Sequence, residues 1–229
     1  ANSVKHYEFV VAKPRNEFTE QALARLCQVH LKAKNYDSAI PVLKRLETEA
    51  DFPQNITYAQ SNLMKSYYEK QDFVNAVVYA DKVLKNDKID DRIKSDAQII
   101  VARSAIKTND EAKAKEAYAK LQKIAKGELA AEALYYDAYF KNKEGKFESS
   151  NVVVQKIAQD YSGYKYYGAK SLVIMAKNFY GLKDSFQATY ILESVIENFK
   201  EYTDVIEEAQ KELDFIKGEE AKRNSSITN

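Results

Sequence analysis

The side chains that carry most enzymatic chemistry are scarce in this sequence of 229 residues, which contains two His, one Cys and no Trp. His30 follows Cys27 by three residues in an apolar stretch that favours a helix, so the two side chains would be successive positions along one helix. His6 lies in a separate predicted helix. We therefore predict a buried, structural Cys27 and two structural histidines.

Sequence motifs for metals, phosphates or activated nucleophiles are missing as well. The sequence has no HExxH, CxxC, Gly-rich phosphate loop or EF-hand pattern. The paired carboxylates Glu207-Glu208 and Glu219-Glu220 are consecutive, so on a helix they would point away from one another. We interpret them as solvated charges and expect a chain that is not an enzyme and has no cofactor or metal.

The composition excludes several further classes of protein. A hydrophobic content of 45% argues against wholesale disorder, and a single Cys allows no intramolecular disulfide. The 35 Lys and Arg are balanced by 34 Asp and Glu, which gives no support to nucleic-acid binding. The sequence has no apolar run long enough to cross a membrane. We expect neither a nucleic-acid partner nor a membrane span.

A pattern of an apolar helix, a short break and a second helix that opens with a small residue recurs along the chain. Only 6 Gly and 3 Pro interrupt it, as expected for long helices joined by short turns. Helix pairs repeated at this interval are typical of a helical solenoid, in which each pair buries its apolar stripe against the next. The small residues recur at spacings of 37, 38, 36 and 38 residues, at Ala39, Ala76, Ala114, Ser150 and Ala188.

These repeats resemble the tetratricopeptide repeat (TPR) family. Position 20 of the repeat is Ala or Ser, positions 24 and 27 are apolar, and position 11 is large in three repeats (His30, Tyr67 and Phe179). The repeats depart from the family because none has Trp at position 4 or Gly at position 8, and the register of the fourth repeat is left open. Degenerate repeats of this length are similar to those of bacterial cell-envelope proteins. Some short sequence segments are similar to repeats that are common in Bacteroidetes. Position 8 is occupied by Cys27, Met64, Ala102, Ala138 and Ala176.

The resemblance implies an all-α, right-handed α-α superhelix of about five helix pairs. We expect a single solenoid domain over residues 1-217, which ends in a capping helix at 202-217 and is followed by a charged and polar tail at 218-229. A leading half-repeat with Ser3, Tyr7 and Val10 suggests that the chain is the C-terminal part of a longer solenoid. The repeats are predicted near 18-50, 55-87, 92-125, 129-160 and 166-199.

In the TPR family the first helix of each pair lines a concave groove with positions 2, 5, 9 and 12. Position 9 is a cation in three of the four repeats whose register is clear, and tyrosines lie near it. Cations beside aromatic side chains suit a partner peptide with acidic and apolar residues, although Lys and Tyr are also abundant throughout this chain. The predicted partner-binding groove consists of Gln28, Tyr58, Lys65, Tyr68, Arg103, Tyr139, Lys177 and Tyr180.

The function implied by the resemblance is a non-catalytic protein–protein interaction scaffold that binds a peptide or a partner protein in this groove. One alternative is a structural subunit of a cell-envelope assembly, bound through repeat edges and loops. Another is a glycan- or peptidoglycan-associated accessory protein. The expected location is the periplasm or cell envelope, with the cytoplasm as the alternative.

Tyrosines and charges are also unevenly distributed along the chain. Four tyrosines lie between Tyr161 and Gly168, where we favour rings that wedge between stacked repeats over a stacking platform for sugars or peptides. The charge is also uneven, because Lys113–Lys126 is basic and Glu201–Asp214 is acidic. We favour two solvated faces over head-to-tail contact between molecules.

Overall fold

A computed structural model describes the backbone of residues 2–227 and the side chains of residues 4–223. Over these residues the chain forms twelve α-helices and no β-strand, so the prediction of an all-α fold is confirmed. The helices are α1 (Asn2–Val11), α2 (Thr19–Lys32), α3 (Tyr36–Glu49), α4 (Pro53–Glu69), α5 (Phe73–Leu84), α6 (Asp91–Lys107), α7 (Glu111–Leu121), α8 (Glu128–Lys143), α9 (Phe147–Asp160), α10 (Lys165–Gly181), α11 (Ser185–Asn198) and α12 (Thr203–Ile227).

The chain divides into two compact units, Ala1–Lys120 and Leu121–Asn229. In the first unit each helix from α1 to α6 packs on the next, and α4 also contacts α6. In the second unit α8 to α12 pack in the same sequential way, with further contacts of α8 with α10 and of α10 with α12. The first helices of consecutive pairs therefore lie side by side within each unit.

The repeat pattern read from the sequence describes the core of both units. The residues at positions 8 and 20 are all 0% exposed, which lets the two helices of a pair approach closely. Positions 24 and 27 fill the adjacent space on the second helix and are at most 1% exposed. They are Leu43, Ala80, Tyr118, Val154 and Leu192 at position 24, and Leu46, Val83, Leu121, Ile157 and Val195 at position 27.

A left-handed residue ends the first helix of every pair and settles the register of the fourth repeat. The residue seven places after position 8 has φ between 53° and 72° in all five pairs, at Lys34, Gln71, Asn109, Gly145 and Lys183. Only the fourth repeat uses Gly, the residue that adopts this conformation without steric cost. The backbone N–H of the following residue donates to the carbonyl five residues earlier, as from Asp72 N to Tyr67 O, which closes each turn in a Schellman-type geometry.

The residue directly after the left-handed one also caps the second helix in four of the five pairs. Asn35, Asp72, Asp110 and Asp184 each accept a hydrogen bond from the backbone N–H three residues later, which satisfies a donor at the helix start. The fourth repeat has Lys146 at this place, and its side chain makes no capping bond.

The two ends of the chain differ in how closely they follow the predictions. The leading half-repeat forms α1, which packs on α2, and the Val11 carbonyl accepts a hydrogen bond from Arg45 Nη1 at 2.9 Å. At the other end α12 does not stop at residue 217 but continues to Ile227, which corrects the expected tail. Polar contacts support the added turns, since Glu219–Lys222 and Glu220–Arg223 pair across one turn and Ser185 Oγ on α11 donates to Glu220.

Candidate functional site

The first helices of the pairs bring their predicted groove positions into contact across consecutive repeats. In the first unit Lys65 Nζ on α4 lies 2.5 Å from Asp96 Oδ2 on α6. In the second unit Lys177 Nζ on α10 lies 2.6 Å from Glu208 Oε1 on α12. Both pairs join residues 31 positions apart, so position 9 of one first helix meets the start of the next first helix in each unit. We call this face of α2, α4 and α6 in the first unit, and of α8, α10 and α12 in the second unit, the inner surface of that unit.

These ion pairs make the charge of the inner surface mixed. Glu212 Oε2 lies 3.9 Å from Lys177 Nζ, so two carboxylates face this one ammonium. The side chains of Lys65 and Lys177 are 47% and 26% exposed. Partly exposed ion pairs of this kind contribute about 0–1 kcal/mol each. An acidic group from a partner can therefore exchange with Asp96 or Glu208 at small cost.

The groove tyrosines are partly buried and contact other rings. Tyr68 lies edge-on to Phe73 at 5.7 Å between ring centroids, and Tyr180 lies edge-on to Phe215 at 5.9 Å. Tyr139 belongs to a cluster of rings on α8, and Lys143 Nζ lies 5.6 Å from its centroid. Burial is the first cause of the raised pKa of Tyr58. The rings of Tyr68, Tyr139 and Tyr180 are thus oriented by neighbouring rings and remain partly exposed.

The remaining predicted groove residues lie on the same helices. Gln28 is exposed on α2, and its Oε1 accepts a hydrogen bond from Arg25 Nη1 at 3.1 Å. Arg103 is half-buried on α6. The structure thus distributes the predicted set between the units, with Gln28, Tyr58, Lys65, Tyr68 and Arg103 in the first and Tyr139, Lys177 and Tyr180 in the second.

The tyrosine-rich segment Tyr161–Gly168 is largely used in packing. Tyr166 donates its hydroxyl to Asp204 at 2.7 Å and packs edge-on to Tyr202 at 5.4 Å between centroids. The pKa of Tyr166 is raised, first by burial and then by this bond to the carboxylate. Tyr167 donates to the buried Glu132 at 2.8 Å. Two of the four tyrosines are therefore bonded to carboxylates, while Tyr164 is 37% exposed.

The buried Cys27 and the described acidic side chains form no metal-binding cluster. Cys27 is fully buried, and burial raises the pKa of its thiol to about 12, so it does not form a thiolate near neutral pH. No group of three or more His, Cys, Asp or Glu within residues 4–223 could hold a metal ion. Among the helices described, none is both long and apolar enough for a membrane crossing.

A cavity of about 660 Å³ in the first unit was missed by the sequence analysis. It lies along the inner side of α4, beside the segment that joins α5 to α6. The signal that could have identified it is Lys88 and Ile89 in that segment, followed by Arg92 and Ile93 in the first turn of α6, all of them outside the groove positions. Its lining includes Tyr58, Ser61, Lys65, Lys88, Ile89, Arg92 and Ile93.

Comparison with known proteins gives structural but not sequence matches. No protein-family model matches this chain, and no curated protein matches it in sequence. The fold is similar to the crystal structure of a tetratricopeptide repeat protein from Parabacteroides merdae, with a TM-score of 0.69 and 15% identity, covering 91% of this chain and 77% of that chain. It is also similar to the crystal structure of MamA, with a TM-score of 0.61 and 14% identity, covering 80% of this chain and 92% of that chain.

The likeness to these structures agrees with the repeated turn geometry and with the small, fully buried residues at positions 8 and 20. The predicted resemblance is confirmed at the level of the fold. The chain has the fold of the tetratricopeptide repeat, an all-α solenoid of helix pairs.

Proposed function

We propose that this chain is a non-catalytic scaffold that binds a peptide or a partner protein on its inner surface. The observation that carries the proposal is the meeting of position 9 with the next first helix, seen at Lys65–Asp96 and again at Lys177–Glu208. Within each unit, such a contact joins residues that are distant in sequence into one face. Because helix packing holds that face in place before a partner arrives, binding needs little reorganisation.

The chemistry of the inner surface suits a protein partner. Tyrosine and arginine are enriched among the residues that dominate protein interfaces, and the rings of Tyr68 and Tyr180 are already oriented by Phe73 and Phe215. The weak ion pairs beside them offer both signs of charge to a partner. A partner that carries acidic and apolar side chains can replace an internal carboxylate at Lys65 while covering a tyrosine ring.

The proposal is tested with peptides selected from a random displayed library on the wild-type chain. The variant Tyr68→Ala/Tyr180→Ala removes two inner-surface rings. The matched control is Phe186→Ala/Tyr190→Ala, which removes two rings that are 77% and 65% exposed on the outward face of α11. We expect the first variant to raise the Kd by about tenfold or more and the control to leave it unchanged. The reverse result would place the interface on the second helices.

A second candidate is binding through repeat edges, as expected for a structural subunit of an assembly. It is favoured by two exposed rings, Phe18 and Phe52, which are 58% and 63% exposed beside the starts of α2 and α4. Glu20 joins these two helix starts, because its carboxylate accepts from Asp51 N at 3.1 Å and from Asn55 Nδ2 at 2.6 Å.

The same selected peptides distinguish the edge from the inner surface. Phe18→Ala/Phe52→Ala abolishes binding if the edge is the interface, and leaves the Kd unchanged if the partner lies on the inner surface. Circular dichroism of each variant verifies that helix content is retained.

A further inference from the structure

The cavity beside α4 is lined by more cations than carboxylates. Three cations line it, Lys65, Lys88 and Arg92, and one carboxylate, Asp90. Asp90 is already used, because its Oδ1 accepts the Ile93 backbone N–H at 2.8 Å as the N-cap of α6. Lys65 is paired with Asp96. Among the described residues, no ion pair or side-chain hydrogen bond engages Lys88 or Arg92, and both are exposed.

A buried hydroxyl without a partner lies in the lining of the same cavity. Ser61 is 8% exposed, and its Oγ has no hydrogen-bond partner within the described part of the chain. An unsatisfied buried hydroxyl is unfavourable. A partner group that accepts a hydrogen bond from Ser61 Oγ would therefore be stabilised by that bond. Two other hydroxyls share this condition, on Ser66 and Ser104, but neither lines this cavity. Ser61 therefore lines the same cavity as Lys88 and Arg92.

The rest of the lining is apolar or amide. Pro53, Ile89 and Ile93 provide apolar surface, while Gln54, Asn62 and Asn86 provide amide groups suited to a peptide backbone. Asn86 is held in place by a bond from its Nδ2 to Thr57 Oγ1 at 3.1 Å. Tyr58 and Lys65 belong to the inner surface, so the cavity opens on the face where a partner would lie.

We infer that this cavity is the anchor for an acidic side chain of the bound peptide, with a neighbouring apolar side chain seated on Ile89 and Ile93. The guanidinium of Arg92 can bind a carboxylate with two parallel N–H donors, and Lys88 adds a point charge beside it. The inference rests on the proposed function and adds to it both the chemistry of the partner and the place where it is recognised. It assigns recognition to two residues outside the predicted groove positions.

The test is a double-mutant cycle between protein and peptide. A peptide selected on the wild-type chain is compared with the same peptide in which the acidic residue is replaced by its amide. The two peptides are measured by calorimetry against the wild-type chain and against Lys88→Gln/Arg92→Gln. The matched control is Lys94→Gln/Lys107→Gln, which makes the same charge change at two exposed lysines of α6 outside the cavity.

We expect the wild-type chain and the control to prefer the acidic peptide by about tenfold, and Lys88→Gln/Arg92→Gln to lose that preference. Ser61→Ala should weaken acidic-peptide binding by a few fold while leaving the urea midpoint of the chain the same or higher, since it removes an unpaired hydroxyl. Adding salt should reduce the preference in the wild-type chain.

Three outcomes would overturn the inference. The first is a selected peptide pool without acidic residues, and the second is an equal preference for the acidic peptide in Lys88→Gln/Arg92→Gln. The third is that free succinate binds as tightly as the acidic peptide, which would make the ligand a small acid. In the first two cases the proposed function still stands if Tyr68→Ala/Tyr180→Ala weakens binding; it fails separately if that variant binds like wild type.

Discussion

At the scale of single residues, Cys27 provides a chemical reporter of the fold. Its side chain is fully buried on α2, and burial raises the pKa of its thiol to about 12 from 9.0 in a solvated chain. The unfolded chain therefore loses the thiol proton first as the pH rises, and the folded chain keeps it. The contribution of this pKa difference to the free energy of unfolding is fully present below about pH 9, and it is lost as the pH rises towards 12.

We predict that iodoacetamide does not modify the folded chain between about pH 7 and pH 9, because only the thiolate reacts and the thiol is inaccessible. The same chain in concentrated urea should be alkylated completely, and mass spectrometry distinguishes the two. Rapid modification of the folded chain at about pH 8 would show that α2 is not packed as described.

Gly181 is a second residue whose neighbour decides the effect of a substitution. A Cβ at this position would lie 2.5 Å from the ring of Phe147, so the last turn of α10 packs directly on the first turn of α9. We predict that Gly181→Ala lowers the free energy of unfolding by about 1–3 kcal/mol through overpacking.

The control for this prediction is the background Phe147→Ala, in which the obstructing ring is gone. There, Gly181→Ala should be neutral or stabilising by a few tenths of a kcal/mol, since Ala favours helix over Gly. Urea denaturation of the four chains measures the coupling. Equal effects of Gly181→Ala in both backgrounds would contradict a direct contact between these residues.

At the scale of the helix pair, the turns show why one repeat differs from the other four. Four repeats combine a non-Gly residue in the left-handed conformation with an Asn or Asp cap, whereas the fourth combines Gly145 with an uncapped Lys146. The fourth repeat thus has Gly, which adopts the left-handed conformation most easily, and it lacks a helix cap at the next position.

We predict that Lys146→Asp stabilises the chain by about 1 kcal/mol, because it restores the cap that Asp184 and Asp72 provide in other repeats. The control Lys146→Ala removes the same ammonium without supplying an acceptor and should give no such gain. The urea midpoint measures both. Equal midpoints for Lys146→Asp and Lys146→Ala would mean that α9 does not begin where the structure places it.

At the scale of the whole molecule, the repeat pattern was sufficient to predict the fold but not the site in full. Buried positions 8, 20, 24 and 27 recur with the helix pairs, so apolar periodicity predicts them directly. The ion pairs Lys65–Asp96 and Lys177–Glu208 depend on the side-by-side placement of first helices, which residue types alone do not specify. The cavity near Lys88 and Arg92 depends on the path of an irregular segment between repeats, which has no period to follow.

The extension of α12 is another feature that the apolar pattern of the sequence does not predict. Gly218 ends the apolar pattern and therefore predicts the end of a helix, yet the helix continues to Ile227. Helix-favouring residues and two pairs of opposite charge one turn apart support its last turns. Local charge pairing can therefore support a helix beyond the last residue of its apolar pattern.

The central claim is that partners bind to the first helices of the pairs. The most direct test is hydrogen exchange of the wild-type chain with and without a saturating peptide from the displayed library. The account predicts slower exchange at α4 and at the start of α6, around Tyr58, Lys65 and Arg92, and unchanged exchange on α5 and α11. Protection confined to α5, α7, α9 or α11 would contradict the claim and would place the partner on the second helices.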